Sequence, residues 1–462
     1  MLDPLLALGH VVVGKVGVKL GLRRRPDGWR RIVGVGLRNE ASKFAVAAFG
    51  LTPPPGNLAA ALARFLRTEP DAHFALTHAA RLTGRRPADR VDVVELRFAG
   101  DALAAIEPAG DAGPVVAAVV SAYNRTRTAP EAVRAIELER LARAKLPPAD
   151  WPRLERLLSA ACVVVEAGDP STRFAPPEFR ARRGLGFGHL TFTVRVFGEA
   201  VDVWALAHHT GIDGAALQEM VGRLRAAWPG DAVAFPDPHD LPIEPRRCSC
   251  GGEREVFESL TFHEFGPLLA LRKRLNVGLA GDGVTVGSLL MWLLAGEPEF
   301  RRVKFGSTVD VPPRGDSERD VDMVALRPGD WGEVGSFADA YRRAVDAARA
   351  RTSPTRAEIS TAELLPPGLQ RRLLEANPDR VNDTFGAVGL SILRDAPVFV
   401  APYSDTGFPG GFVAVGDINL PTATGRRVGA VSVKGDRTAA ATYPEVLRRV
   451  LAKLAATEPA AA

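Results

Sequence analysis

The sequence predicts an α/β protein built from two related halves, and three observations lead to this class. Short β-branched runs alternate along the chain with amphipathic stretches at helical spacing. The 462 residues are enough to bury two or three hydrophobic cores. A strand–turn–helix pattern near the middle of the chain recurs at its end, about 227 residues later.

The composition is that of an ordinary globular protein, with 46% hydrophobic and 24% charged residues. The net charge of +5 is spread along the chain, apart from a local excess at Arg23, Arg24, Arg25, Arg30 and Arg31. That excess fits a solvated basic face, or a surface that attracts phosphate groups or an anionic membrane. No nucleic-acid-binding signature accompanies it.

Apolar segments of the sequence are too short to cross a bilayer. The apolar N-terminal stretch lacks the basic-then-apolar order and the cleavage site of a signal peptide. We therefore expect a cytoplasmic protein with no membrane contact. The three cysteines, Cys162, Cys248 and Cys250, cannot form a disulfide framework and fit a reducing compartment. His239 and His263 are poor partners for a zinc site at Cys248 and Cys250, so we expect no metal.

The elements of the first half follow from local patterns. A helix is predicted over 57–67, a strand over 91–98, two helices within 129–160 separated by two prolines, and a strand over 162–165. Alternation on both sides of Gly198 predicts a hairpin over 189–207. The helix that follows has one apolar face, made by Leu217, Met220, Val221, Leu224 and Trp228.

A Pro-, Asp- and Gly-rich stretch at 229–256 is the best candidate for a linker. It divides the chain into an N-terminal subdomain, 1–228, and a C-terminal subdomain, 257–462. In the latter we predict helices over 263–275 and 286–294, the second opened by Thr285, and a strand over 303–311. Ser336 and Asp339 form a candidate capping pair for a helix that ends at Arg351. Strands are predicted near 385–393, 397–401, 411–418 and 427–433, and a last helix over 443–455.

The most informative motif is His208-His209-Thr210-Gly211-Ile212-Asp213-Gly214, at the junction between the hairpin and the apolar-faced helix. A histidine at a strand end can be held rigidly and still reach a cleft. Its imidazole can act as a base near neutral pH. The chain has no phosphate-binding loop, dinucleotide fingerprint or serine nucleophile elbow that would compete with this motif.

The end of the chain repeats this region in degenerate form. Val428–Val433 forms an apolar strand, followed by a polar turn and a helix. At an offset of about 227, Asp436 stands where the first copy has His209, and Ala440 where it has Asp213. Only the first half then keeps the chemical residues. The alternative is that any strand–turn–helix unit looks like this one.

The motif H-H-x-x-x-D-G resembles the hallmark of the chloramphenicol acetyltransferase-like superfamily. This superfamily includes dihydrolipoyl acyltransferases, condensation domains of peptide synthetases, wax ester synthases and plant BAHD acyltransferases. The resemblance extends over roughly 185–456, through the segment Gly283–Leu290 and the strand Val309–Val311 followed by Arg314. The BAHD D-F-G-W-G element is absent, and the segment 404–411 is a candidate for a comparable loop. The resemblance implies two subdomains that form a pseudo-dimer with a central cleft.

The same resemblance implies roles for individual residues. His209 would be the general base, with His208 as its supporting neighbour. Asp213 would form an ion pair that fixes the loop, with Arg314 as its partner or Arg195 as the fallback, and Gly214 would leave space at the helix start. Ser391 is a candidate oxyanion donor, with Thr384 as its competitor.

The resulting hypothesis is an acyltransferase that moves an acyl group from a thioester to a hydroxyl or amine acceptor. The expected donor is acyl-CoA, or an acyl-carrier-protein thioester, as a co-substrate, and no cofactor is expected to be bound permanently. The small-molecule donor and acceptor are then the main partners, with a carrier protein as a further one. The alternative is a catalytically idle docking module of the same fold, for example for an acyl-carrier protein. Hydrolysis of the thioester is a third reading that uses the same His209.

Overall fold

The computed structural model describes most of the chain from residue 43 onwards. The described residues are 43–82, 90–107, 113–127, 131–177, 190–208, 212, 214–238, 243–248, 255–277, 283–311, 320–356, 365, 369, 385–400 and 410–457.

The chain forms a mixed α/β fold with two mixed sheets. Its helices are α1 (Leu58–Thr68), α2 (Pro70–Leu82), α3 (Gly113–Thr126), α4 (Glu131–Arg143), α5 (Trp151–Leu158), α6 (Gly214–Ala227), α7 (Gly266–Leu275), α8 (Val286–Ala295), α9 (Val334–Arg349) and α10 (Arg437–Thr457). No helix within these segments is both long and apolar enough to cross a membrane.

Fifteen strands are defined in the described part of the chain. They are β1 (Lys43–Leu51), β2 (Val93–Ala99), β3 (Ala102–Glu107), β4 (Ala161–Ala167), β5 (Leu190–Phe197), β6 (Ala200–His208), β7 (Arg246–Cys248), β8 (Val256–His263), β9 (Phe305–Val311), β10 (Asp320–Leu326), β11 (Val388–Ile392), β12 (Val398–Val400), β13 (Phe412–Val415), β14 (Leu420–Pro421) and β15 (Arg427–Gly435).

The two sheets have the same topology. The first has the order β3-β2-β4-β5-β6-β1-β12 and the second the order β10-β9-β11-β13-β15-β8-β7, with β14 pairing beside β15. In both sheets the successive pairs are antiparallel, parallel, parallel and then antiparallel three times. Strands β1 to β6 therefore correspond in chain order to β8, β9, β10, β11, β13 and β15.

The edge strand β12 joins the two halves. It follows β11 in the chain but pairs with β1 of the first sheet, with Ala45 opposite Val400 and Ala47 opposite Val398. The segment that leaves the second sheet thus completes the first. This exchange keeps the end of β11 close to the first sheet.

Each sheet buries both of its faces. Helices α1, α2 and α6 cover one face of the first sheet, and α3, α4 and α5 cover the β2–β3–β4 end of the other face. Helices α7 to α10 cover the outer face of the second sheet. Between the sheets lies a further cluster that includes Trp204 and Leu206 on β6, and Val428 and Ala430 on β15.

Most elements predicted from the sequence are present at nearly the predicted bounds. The hairpin turns at Gly198, whose φ of 66° is a left-handed value that favours glycine. The predicted capping pair at Ser336 and Asp339 is wrong. Helix α9 begins at Val334, so Ser336 lies inside its first turn, and Asp339 pairs with Arg342 instead. The last helix begins at Arg437, six residues before the predicted start, and accommodates Pro444 inside it.

Candidate functional site

The motif begins at the carboxyl end of β6, where His208 is the last residue of the strand. Its backbone pairs with Lys43 of β1, and its side chain is buried. Because side chains alternate along a strand, His208 is on the same face as Trp204 and Leu206, the face that meets the second sheet. The first histidine of the motif is therefore directed to the contact between the two halves.

The rest of the motif leads into α6. His209 and Asp213 lie outside the described residues. Ile212 is buried in the core of the first half, and Gly214 is the first residue of α6. The buried residues of this helix include Leu217, Met220, Val221 and Leu224, as the sequence predicts.

Gly214 stands where the second half touches the motif. A Cβ atom added to Gly214 would be 3.3 Å from Leu393 Cδ1 and 3.6 Å from Phe399 Cζ. Leu393 follows β11, and Phe399 lies on β12, so both belong to the exchanged segment. The absence of a side chain at Gly214 lets this segment pack against the start of α6.

Ser391 lies on β11 opposite Ala414 of β13, and therefore on the same face of the sheet as Ala414. Neighbouring side chains of that face, Phe412 and Ala414 on β13, pack with the core of the first half, whereas Val413 and Val415 pack outward. The hydroxyl of Ser391 is 3.4 Å from Thr308 Oγ1 on β9. Ser391 is thus on the inner face of the second sheet. It precedes Leu393, the residue that contacts Gly214, by two positions.

Of the other predicted site residues, some lie outside the described part of the chain, and Arg195 is engaged elsewhere. Arg314 and Thr384 lie outside the described residues. Arg195, the fallback partner for Asp213, has other partners. Its guanidinium donates to Glu166 Oε1 at 2.9 Å and to the carbonyls of Thr172, Arg173 and Ala175. It lies opposite Asp202, at the far end of β6 from His208.

The segment Gly283–Leu290 forms the capped start of α8. Thr285 Oγ1 accepts from the Ser288 amide at 3.1 Å, and Ser288 Oγ accepts from the Thr285 amide at 3.0 Å. This capping box satisfies two amides that have no partner within the helix. The Ser288 hydroxyl is buried and is engaged in the hydrogen bonds of the helix terminus.

In the described part of the chain, no group of three or more metal-binding side chains is found. His263 Nε2 is 2.8 Å from Thr261 Oγ1 in the interior of the second half. Cys250 and His239 lie outside the described residues.

The repeat is shifted by one residue from the predicted offset. Helix-facing side chains are odd-numbered in both β6 and β15, for example Val203 and Val431. An offset of 227 would exchange the two faces, because the side-chain period of a strand is two. An offset of 226 keeps the faces and also aligns Met220, Val221 and Leu224 with Val446, Leu447 and Val450, which are equally buried.

With this offset, the counterpart of His208 is Lys434, that of His209 is Gly435 and that of Asp213 is Ala439. Asp436, earlier matched to His209, caps α10 instead: its carboxylate accepts from the Ala439 amide at 2.7 Å. The second copy therefore presents neither of the motif's histidines.

Lys434 forms a buried ion pair that the sequence analysis missed. Its ammonium is 3.6 Å from Glu258 Oε2, and the two residues are opposite each other on β15 and β8. Burial raises the pKa of the Glu258 carboxyl and lowers the pKa of the Lys434 ammonium, while each charge partly opposes the shift of the other. Both residues lie in apolar strands, and only the cross-strand register brings them together.

The position of Thr308 beside Ser391, and the approach of Leu393 and Phe399 to Gly214, were missed for the same reason. The one local signal for Thr308 was its place in the apolar strand before Val309-Asp310-Val311. No periodicity links it to Ser391, which is 83 residues away in the chain.

Comparison with known proteins gives similarities in structure. No family model matches the chain, and no curated protein matches it. The fold is similar to the wax ester synthase/diacylglycerol acyltransferase of Marinobacter aquaeolei VT8, at 11% identity and a TM-score of 0.41, over 89% of this chain and 94% of that one. It is also similar to a condensation domain of the enacyloxin polyketide synthase, at 14% identity and a TM-score of 0.40, over 92% and 79% of the two chains.

A third similarity covers less of the chain. The Azotobacter vinelandii dihydrolipoamide acetyltransferase is 18% identical, with a TM-score of 0.31, over 44% of this chain and 83% of that one. All three have the chloramphenicol acetyltransferase-like fold, the fold of the superfamily whose hallmark the motif resembles.

Proposed function

We propose that this chain is an acyltransferase that moves an acyl group from a thioester to a hydroxyl or amine acceptor. The donor in this proposal is acyl-CoA, or the same thioester on an acyl-carrier protein. The reaction takes place in a cleft between the two halves, with His209 as general base. The observation that carries the proposal is the meeting of the motif with the exchanged segment of the second half, at Gly214 and Leu393.

The chemistry needs a base on one wall and an oxyanion donor on the other. A base alone deprotonates the acceptor but leaves the negative charge of the tetrahedral intermediate without support. His208 ends β6 on the face towards the second half, and His209 follows it directly. Ser391 is on the inner face of β11, two residues from the Leu393 side chain that packs beside Gly214. This arrangement supports a site with contributions from both halves.

The reaction then follows two steps. His209 removes a proton from the acceptor hydroxyl or amine as its oxygen or nitrogen attacks the thioester carbonyl, and Ser391 donates a hydrogen bond to the resulting oxyanion. The intermediate collapses with cleavage of the carbon–sulfur bond, and the departing thiolate takes the proton from the imidazolium. The products are the ester or amide and the free thiol. No acyl-enzyme forms, so the chain needs no nucleophile of its own.

Asp213 and Gly214 serve the loop in this proposal. Asp213 fixes the loop through an ion pair, for which Arg314 is the proposed partner. Arg195 is not a second candidate because Glu166 and three carbonyls already hold its guanidinium.

The direct test is thiol release from a panel of acyl-CoAs of short to long chain, with and without pooled alcohols and amines. Wild type is compared with His209→Ala and with His73→Ala, in which an exposed histidine on α2 is removed. We expect acceptor-dependent release by wild type and His73→Ala, and a loss of about 10²–10⁴-fold in His209→Ala.

Other outcomes would contradict the proposal in different ways. Release that depends on His209 but not on any acceptor, with free acid as the product, would identify a thioester hydrolase. No His209-dependent release from acyl-CoAs, or from the same acyl groups on a carrier protein, would overturn the enzymatic function. Such a chain that still bound the acylated carrier would be a docking module.

A further inference from the structure

We infer that Thr308 is a positioning residue for the oxyanion donor: its hydroxyl donates to Ser391 Oγ and thereby directs the Ser391 proton to the reacting carbonyl. The inference rests on the proposed acyl transfer. The observation that supports it is the 3.4 Å distance between the Thr308 and Ser391 hydroxyl oxygens, on neighbouring parallel strands of the second sheet.

The two hydroxyls lie on a row of side chains across the inner face of the second sheet. Ser432 of β15 is opposite Ala414 of β13, Ala414 is opposite Ser391 of β11, and Ser391 faces Thr308 of β9. Phe412 and Ala414, on this face, pack with the core of the first half. The row is therefore on the side of the sheet that meets the motif, and Thr308 and Ser391 are only partly buried there.

The corresponding row of the first sheet shows that the fold does not require these hydroxyls. With Leu206 as the counterpart of Ser432, the same register runs through Thr191 and Cys162 to Val94. Val94 and Cys162 replace Thr308 and Ser391, and both are packed under α3, α4 and α5. The row that helices cover ends in two apolar side chains, whereas the row on the face towards the first half ends in two hydroxyls.

Either hydroxyl could be the donor, and the proposed chemistry selects the direction. A serine hydroxyl has one proton and two acceptor sites. If the Ser391 hydroxyl donates its proton to Thr308, it cannot donate a hydrogen bond to an oxyanion. When Thr308 is the donor, the Ser391 proton is available, and the Thr308–Ser391–oxyanion chain polarises each hydrogen bond in turn. Thr308 also restricts the Ser391 hydroxyl to one rotamer, which lowers the entropy cost of aligning it.

The test compares Thr308→Val, which keeps the shape and removes the hydroxyl, with Thr308→Ser, which keeps the hydroxyl. The assay is the acyl-CoA and acceptor pair that gives the highest His209-dependent thiol release. We expect Thr308→Val to lower kcat about 10-fold, less than the 10²–10³-fold loss of a direct oxyanion donor, and to leave KM unchanged. Thr308→Ser should recover most of the activity.

A double variant separates positioning from an independent effect. Ser391→Ala should lower kcat more than Thr308→Val, and Thr308→Val should have no further effect in the Ser391→Ala background. The matched control is Thr193→Val, at a fully buried threonine in β5 of the other sheet, for which we expect unchanged kcat and KM. Thermal unfolding of each variant checks that it is folded. If Thr308→Val does not fold, Thr308→Ala is used in its place.

Two results would overturn the inference while the proposed function stands: an unchanged kcat in Thr308→Val, or an equal further loss in the Ser391→Ala background. If wild type itself shows no His209-dependent transfer, the proposed function fails, and the role of Thr308 falls with it. The Thr308 and Ser391 variants therefore test the inference, whereas wild type and His209→Ala test the proposed function.

Discussion

Lys434 on β15 has its ammonium 3.6 Å from the carboxylate of Glu258 on β8, at the place in the second half that the backbone pair His208 and Lys43 takes in the first. Lys434 is fully buried and Glu258 nearly so. The duplicated strand end that contains the motif histidines in one half therefore holds an ion pair in the other. This relationship leads to predictions on stability that do not depend on activity.

Removal of one partner of this pair should be costly. Lys434→Met leaves the Glu258 carboxylate buried without its counter-charge, and we expect the free energy of unfolding at pH 7 to fall by about 3–5 kcal/mol. The double variant Lys434→Met with Glu258→Leu should be as stable as wild type or more so. Urea unfolding followed by fluorescence measures both. The control is Arg426→Met at a solvent-exposed ion pair with Glu264, which should cost less than about 1 kcal/mol.

The same pair predicts a pH dependence of opposite sign for its two members. The pKa of Glu258 is raised from 4.5, so its contribution is fully present below that pH and is lost as the pH rises above it. The pKa of Lys434 is lowered from 10.5, so its contribution is present above that pH and is lost as the pH falls. Relative to the double variant, wild type should therefore be least stable between these limits. A constant difference in unfolding free energy from pH 4 to pH 10 would contradict this.

Gly214 should tolerate only a small side chain. The 3.3 Å approach to Leu393 requires a shift of a few tenths of an ångström for alanine and a larger one for a branched side chain. We expect Gly214→Val to cost about 1–3 kcal/mol of unfolding free energy, and Leu393→Ala to recover part of that loss in the double variant. Gly222→Val in the same helix meets nothing within 4 Å and should be neutral. Equal losses in the two glycine variants would show that helix propensity, and not the contact with Leu393, is decisive.

The cap of α8 should be worth more than the hydroxyl of Ser336. Thr285→Ala removes the acceptor for the Ser288 amide and should lower the unfolding free energy by about 1 kcal/mol. Ser336→Ala lies within the first turn of α9, where no cap bond forms, and should change stability by less than about 0.5 kcal/mol. A larger loss at Ser336 than at Thr285 in thermal unfolding would contradict the observed helix starts.

Arg195 should act on stability and not specifically on catalysis. Arg195→Met leaves Glu166 and three carbonyls without their donor, and we expect a loss of about 3 kcal/mol or more. Arg97→Met, at an arginine of the same sheet that is half exposed, should cost less than about 1 kcal/mol. If Arg195→Met kept full stability but lost thiol release, Arg195 would have to serve the motif after all.

Much of the fold and part of the candidate site could be predicted because the signals are local. Alternation on both sides of Gly198 predicts the β5–β6 hairpin, and the spacing of Leu217, Met220 and Leu224 predicts α6. The motif is a continuous stretch, so His208 and Gly214 could be assigned to the junction directly. The capping prediction at Ser336 was wrong because Ser336 and Asp339 have the spacing of a capping pair, whereas the helix already begins at Val334.

The sequence by itself determined the alternation of strands and helices, the position of the motif between β6 and α6, and the presence of a related unit at the end of the chain. Those features depend on residues within one or two turns of each other. Only the tertiary structure decided that β12 joins the first sheet, that Lys434 corresponds to His208, that Thr308 lies beside Ser391, and that Leu393 contacts Gly214. The physical reason is register: a slip of one residue exchanges the two faces of a strand, and the partners that fix it lie far away in the chain.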